Sequence, residues 1–187
     1  MMIRRYGVVA SVVALLAAGA GTARIASGNA ERNDDDPERR GVLRERLTGY
    51  QEDPLAISTS GDGGFRLAVD EAGQELTYRL HYRALEGEVT QAHIHVGGWA
   101  RSGGISAFLC TNLGNGPVGT QPCPAAPATI SGTVRPADVI GPTAQGIAPG
   151  EFGELVAAVR AGVTYVNVHS SRHPGGEIRA QLWRHRY

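Results

Sequence analysis

Leu76, Tyr78, Leu80 and Tyr82 alternate with Thr77, Arg79, His81 and Arg83, and no other feature restricts the fold of this chain so strongly. A period of two puts successive side chains on opposite faces, the geometry of a strand with one side in a core. Phe65-Arg66-Leu67-Ala68-Val69 alternates in the same way. Asp70-Glu71-Ala72-Gly73 supplies a turn between the two runs, so together they predict a β-hairpin. Val89–Val96 reads as a further strand after the Glu86-Gly87-Glu88 turn, with shorter ones at Ile105–Leu109 and Thr129–Val134. Val163–His169 and Glu177–Trp183 are two more, joined through His173-Pro174-Gly175-Gly176, whose Pro-Gly step is a turn signal. Phe152, Leu155, Val156 and Val159 instead recur at helical spacing, and Gly162 follows as a stop. The 26 glycines and 10 prolines among 187 residues favour many short strands over a few long helices. The expectation is an all-β fold, an antiparallel Greek-key sandwich or barrel with one short helix.

The N-terminus reads as an export signal over residues 1–26. Arg4 and Arg5 precede the uncharged run Val8–Ala20, and Ala18-Gly19-Ala20 fits a small-x-small cleavage site, with Ala26 a later option. The run is shorter than the roughly 20 apolar residues that span a bilayer, which favours removal over anchorage. The Arg pair before Tyr6 resembles a twin-arginine signal, and two arginines are also ordinary in such a region, so the route stays open. Residues 27–42 are charged and nearly free of large apolar side chains. They read as a disordered linker in which Asp34-Asp35-Asp36 is a solvated run. A folded domain is expected over residues 43–183 and a short tail over 184–187. The expected location is secreted or periplasmic, with no membrane attachment once the signal is removed.

Export bears on the cysteines. Cys110 and Cys123 are the only two, and an oxidising compartment favours a disulfide between them. Two free thiols are the alternative. A metal site using both is less favoured, because no His stands near them in sequence. Lys+Arg equals Asp+Glu at 18 each. A neutral chain has no broad field for nucleic acid, and its basic residues are not interleaved with aromatics along the sequence, so no nucleic-acid partner is expected.

The strand period also sorts the polar residues. Ala92, Ile94 and Val96 share one face of their strand, and Gln91, His93 and His95 share the other. Val166 and Val168 oppose Tyr165, Asn167 and His169; Ile178, Ala180 and Leu182 oppose Glu177, Arg179 and Gln181. If these strands are neighbours, His93, His95, His169, Glu177 and Arg179 gather on one surface. Two His at i and i+2 on a strand project the same way, with Cβ atoms ~7 Å apart. A third imidazole from a neighbouring strand would complete a set suited to zinc or copper. Glu177 would serve as a ligand or hold an imidazole tautomer. The alternative is a polar face of hydrogen-bonded histidines that holds nothing. His81 is expected in solvent, His173 in a turn beside the face, and His185 in the tail. The chain has no Gly-x-Ser-x-Gly elbow and no Gly-rich phosphate loop, and we assign no catalytic residue.

Four segments carry a family resemblance: LTGYQEDP (Leu47–Pro54), AHIHVG (Ala92–Gly97), YVNVHS (Tyr165–Ser170) and PGGEIRAQL (Pro174–Leu182). In this order they resemble the landmarks of the CHRD (chordin-type) domain and span nearly all of residues 43–183. The resemblance implies an extracellular or cell-surface β domain acting on an extracellular protein or surface ligand, and it implies no reaction. The expected function is therefore that of a non-enzymatic extracytoplasmic binding or structural module. A more distant similarity is to the Cu/Zn superoxide dismutase sandwich. His93-x-His95 is similar to its copper pair, and His169 and Arg179 to its last copper ligand and active-site arginine, but a bridging His and a zinc loop are missing. What that similarity implies, as the alternative function, is a mononuclear copper or zinc binding protein or a superoxide dismutase-like redox enzyme.

Overall fold

The computed structural model describes residues 41–183; the expectations for the export signal, the acidic run and the C-terminal tail with His185 lie outside them. Eight strands form one sheet. They are β1 (Val42–Thr48), β2 (Asp62–Asp70), β3 (Glu75–Arg83), β4 (Val89–Val96), β5 (Ile105–Thr111), β6 (Ala128–Val134), β7 (Thr164–Ser170) and β8 (Ile178–Leu182). Their order is β5-β4-β7-β8-β1-β2-β3-β6, and every neighbouring pair is antiparallel. The helix α1 (Phe152–Arg160) precedes β7. The protein is all-β, with one short helix.

Alternation decides which side of each strand enters the core. Leu76, Tyr78, Leu80 and Tyr82 of β3 are buried, while Thr77, Arg79, His81 and Arg83 between them are exposed. The inward residues of β1, β2, β4, β7 and β8 join them in one hydrophobic cluster. From α1, Phe152, Leu155, Val156 and Val159 enter the same cluster, as a stripe at i, i+3, i+4 and i+7 must when a helix buries one face. Gly162 then takes φ 70°, a left-handed conformation that glycine adopts at little cost and that ends the helix.

The sheet curls until its end strands β5 and β6 nearly meet. Gln121 spans the gap, with Nε2 donating to Leu109 O on β5 at 3.1 Å and to Ser131 O on β6 at 3.3 Å. The Tyr78 hydroxyl donates to the same Leu109 carbonyl at 2.9 Å. The long β5–β6 connection is anchored by the disulfide Cys110–Cys123, across a separation of 13 residues. A closure of that size contributes about 3 kcal/mol by restricting the unfolded chain. Asn112 holds the same loop, donating to Val89 O and Cys123 O and accepting from the Cys123 N–H.

The polar faces of β4, β7 and β8 do gather on one side of the sheet, but they do not stand open to solvent: β7 and β8 are buried at every position. Two loops cover the outer side of these strands, as the hydrogen bonds below show.

A candidate metal centre on the covered face

β4 pairs with β7, and β7 with β8. In that register His93 lies opposite Asn167, and Asn167 opposite Arg179; one row along, His95 lies opposite Tyr165 and Tyr165 opposite Gln181. Cross-strand partners share a face, so the polar sets of three strands meet. One nitrogen from each of His93, His95 and His169 lies within 4.8 Å of the other two. The residues are 0%, 8% and 6% exposed, so the cluster is dry. Phe108 closes one flank, with its ring centroid 4.4 Å from that of His93.

Two contacts fix imidazole tautomers. His95 Nδ1 stands 2.9 Å from the Gly103 carbonyl, and His169 Nδ1 2.9 Å from the Pro174 carbonyl. A carbonyl only accepts, so both rings carry their proton on Nδ1 and leave Nε2 deprotonated. This is the arrangement that orients histidine ligands in metal sites. His95 Nε2 has no hydrogen-bond partner, and neither does His93 Nε2. His169 Nε2 lies 3.2 Å from His93 Nδ1 and 3.1 Å from Asn167 Oδ1. Buried polar nitrogens without partners are rare and costly in a folded protein, and this cluster holds two.

The surroundings keep the rings neutral. Burial pushes His93 down to about 2, and the neighbouring His169 and His95 lower it further in the same direction. Burial likewise takes His95 down to about 4, against the pull of the Gly103 hydrogen bond. His169 is lowered for the same first reason. Neutral imidazole is the form that binds a metal.

A second layer holds the first. The Tyr165 ring stacks on His95 with centroids 4.7 Å apart, and the Arg179 guanidinium lies over the Tyr165 ring at 3.6 Å. Arg179 Nη2 donates to the carbonyls of Gly98 at 2.9 Å and Arg101 at 3.1 Å. Gln181 Nε2 donates to the carbonyls of Gly97 and Gly162. The loop after β4 is thus drawn down over the face by polar side chains of β8. Asp53, from the segment after β1, accepts from the Ser102 N–H at 2.7 Å and fastens the two covering segments together.

Glu177 does not join the histidines. Its Oε1 accepts from the Thr59 hydroxyl and the Glu86 N–H, both at 2.7 Å. It precedes β8, and its carboxylate is drawn to the loops flanking β2 and β3, because those loops offer it donors. Gln91 Oε1 accepts from the Asn115 amide at 3.0 Å, toward the disulfide loop. His173 lies 3.3 Å from Glu86 Oε2, away from the cluster. Sequence reasoning had not singled out Glu52, Phe108 or the carbonyls of Gly103 and Pro174. Backbone carbonyls leave no sequence signal. Glu52 did have one, since it lies in the LTGYQEDP segment.

The model of the CHRD domain matches residues 43–182 of this chain. The protein belongs to the CHRD family. No curated protein and no solved structure matches it. The match makes the chain a member of a family of extracellular-type modules, and all four landmark segments fall within the matched span. Three of them supply the cluster: AHIHVG carries His93 and His95, YVNVHS carries Tyr165, Asn167 and His169, and PGGEIRAQL carries Arg179.

Glu52 gives this CHRD domain an opposing titration. The residue is 8% exposed, and its Oε1 is buried without a partner. Burial raises it to about 8, against the pull of Arg179. The histidines have folded values below their unfolded value of 6.5, so their contribution is complete above pH 6.5 and is lost as pH falls through 4 toward 2. Glu52 has a folded value above its unfolded 4.5, so its contribution is complete below pH 4.5 and is lost as pH rises toward 8. Metal-free protein is therefore expected to be most stable near pH 6.5. Three imidazoles outweigh one carboxyl below that point, and the carboxyl alone acts above it. Melting temperatures across pH 4–9 check this, and Glu52→Gln is expected to flatten the alkaline side only. A decline above pH 6.5 that survives in Glu52→Gln would contradict the assignment.

Proposed function

We propose that this CHRD-domain protein works outside the cytoplasm as a binding module, and that one ligand of the module is a single copper or zinc ion held by His93, His95 and His169. The observation that carries the metal reading is that one nitrogen from each of the three imidazoles lies within 4.8 Å of the others, while the buried Nε2 atoms of His93 and His95 have no partner. An ion there would satisfy groups that the protein leaves without partners. Three imidazoles suit zinc and copper, while calcium and magnesium prefer oxygen ligands. The CHRD membership and the disulfide support the extracytoplasmic location. Glu177 has no place in the proposed ligand set, since its carboxylate is held by Thr59 and Glu86 and is not among the groups that gather with the three imidazoles.

The decisive measurement is titration of tag-free, chelator-treated protein with Cu(II) and Zn(II) near pH 7, with bound metal counted by native mass spectrometry. One ion per chain is expected, together with a rise in melting temperature that chelator reverses. Absence of stoichiometric uptake of either metal would end the metal reading and leave the binding module without a known ligand.

A further inference from the structure

The outer face of β1, β2 and β3 takes no part in the histidine cluster. There Arg44 lies directly opposite Arg66, and Arg66 directly opposite Arg79. All three are exposed. Residues opposed on antiparallel strands share a face, with Cβ atoms ~5 Å apart, so three guanidinium groups rise in one row across three strands. The next row is Arg46, Gly64 and His81, and the next is Thr48, Asp62 and Arg83. Asp62 binds Arg83 through both carboxylate oxygens and stands 3.6 Å from Arg46. Among the described residues Arg44, Arg66 and Arg79 have no acidic partner.

Like charges placed directly opposite one another weaken a sheet. A row of three unpaired arginines is therefore a cost that the fold does not need for its core. Gly64 adds a second observation. A Cβ on it would stand 2.2 Å from Cε1 of His81, so the imidazole lies across the glycine where a side chain would otherwise rise. The missing side chain lets His81 lie flat there, so the face stays low between the arginines. The outcome is an open depression of about 670 Å³, floored by Gly64 and His81 and lined by five arginines against two carboxylates, Glu45 and Asp62.

We propose that this face binds a linear anionic polysaccharide with carboxylate or sulfate groups on neighbouring sugars. A guanidinium fork pairs with such groups through two parallel hydrogen bonds. The row repeats at the interstrand spacing of ~4.8 Å, close to the length of one sugar unit in a linear chain. The depression is open, as a polymer passing through requires. Single-stranded nucleic acid fits less well, because it needs aromatic platforms for its bases. The aromatic side chains of these strands, Phe65, Tyr78 and Tyr82, are buried in the core. The chain has a formal net charge of zero, so the attraction is local to this face and is not general basicity.

The test uses the full-length chain and four probes at a series of salt concentrations: dextran sulfate, polygalacturonate, unmodified dextran and a single-stranded oligonucleotide. Binding to the two anionic polysaccharides is expected, weakening steadily with salt. The double variant Arg66→Gln/Arg79→Gln is expected to weaken it at least tenfold, with a melting temperature unchanged or higher because opposed charges are removed. Arg135→Gln, which breaks the surface pair with Glu75, is expected to bind like the parent. Equal binding of unmodified dextran, or full binding by the double variant, would overturn the proposal. So would tighter binding of the oligonucleotide. Binding that emerges only after deletion of residues 31–36 would assign the row to the chain's own acidic run and overturn it as well.

Discussion

His93→Phe is expected to abolish metal-dependent stabilisation while leaving the metal-free protein within about 1 kcal/mol of the parent. His93 is fully buried, with ring neighbours Phe108, His169 and His95 at centroid distances of 4.4, 5.0 and 5.3 Å. A phenyl ring occupies nearly the same space. The change removes an unpartnered buried nitrogen, whose burial costs about 1–3 kcal/mol, and gives up the contact between His93 Nδ1 and His169 Nε2. These effects offset each other. The metal-bound state is different. At a metal concentration 100 times the dissociation constant, the parent gains about 2.7 kcal/mol. At about 2–4 °C per kcal/mol for a domain of this size, that is a rise of roughly 5–10 °C. The variant keeps two imidazoles and is expected to gain almost none of it. Calorimetry of both proteins with and without Zn(II) or Cu(II) reads the two effects separately. An undiminished shift in His93→Phe would place the metal elsewhere. A loss above about 3 kcal/mol in the metal-free variant would make His93 a structural hydrogen-bonding residue.

Arg179→Met is expected to cost about 3 kcal/mol, with a fall in melting temperature of roughly 6–12 °C. Methionine replaces the apolar stem and removes the donors. The carbonyls of Gly98 and Arg101 then lose Arg179 Nη2, and Tyr165 loses the cation above its ring. Arg179 is 2% exposed, so the lost bonds have little water to replace them. Arg179 supplies two of the bonds that hold the covering loop at 97–104, beside those from Gln181 and Asp53, and the loop's amides, Gly103 above all, are expected to exchange faster with solvent. Gly103 O fixes the His95 tautomer, so metal affinity is expected to fall by about 10–100-fold, the usual effect of removing support from a ligand. Arg179→Lys is expected to recover little, since an ammonium cannot reproduce a planar fork stacked on an aromatic ring. Hydrogen exchange and metal titration of the same variants test the chain of cause. A stability loss under about 1 kcal/mol with unchanged exchange at Gly103 would show that the loop holds itself in place.

Much of the fold was legible in residues 65–82 because strand alternation is local. Each side chain's face follows from the residue before it, and the hairpin turn Asp70–Gly73 lies between the two runs. The helix at 152–160 was legible for the same reason, as four apolar residues at helical spacing. The candidate site was legible only in part. Sequence placed His93 and His95 on one face, and Tyr165, Asn167 and His169 on another, but it could not state that β4 lies beside β7. His93 and His169 are 76 positions apart, and alternation carries no information about which distant strand is a neighbour. Burial was illegible for a related reason. Alternation gives β4, β7 and β8 a polar side away from the core, but not what lies over it. The Gly97–Gly104 loop and the Gly49–Asp53 segment cover it, which no strand pattern reveals. The neutral composition hid the arginine row in the same way, since Arg44, Arg66 and Arg79 are scattered in sequence and meet only through register.

By itself the sequence determined the all-β class, the strands and their faces, the single helix and the landmark segments of the CHRD family, because backbone period and motif order are properties of neighbouring residues. Tertiary structure alone decided that three imidazoles share one dry space, that Arg179 supports them through Tyr165, that Glu177 is engaged elsewhere, and that three arginines stand in line on an open face. Each of these depends on strand order and register, which are settled by how the whole sheet buries its core and closes on itself.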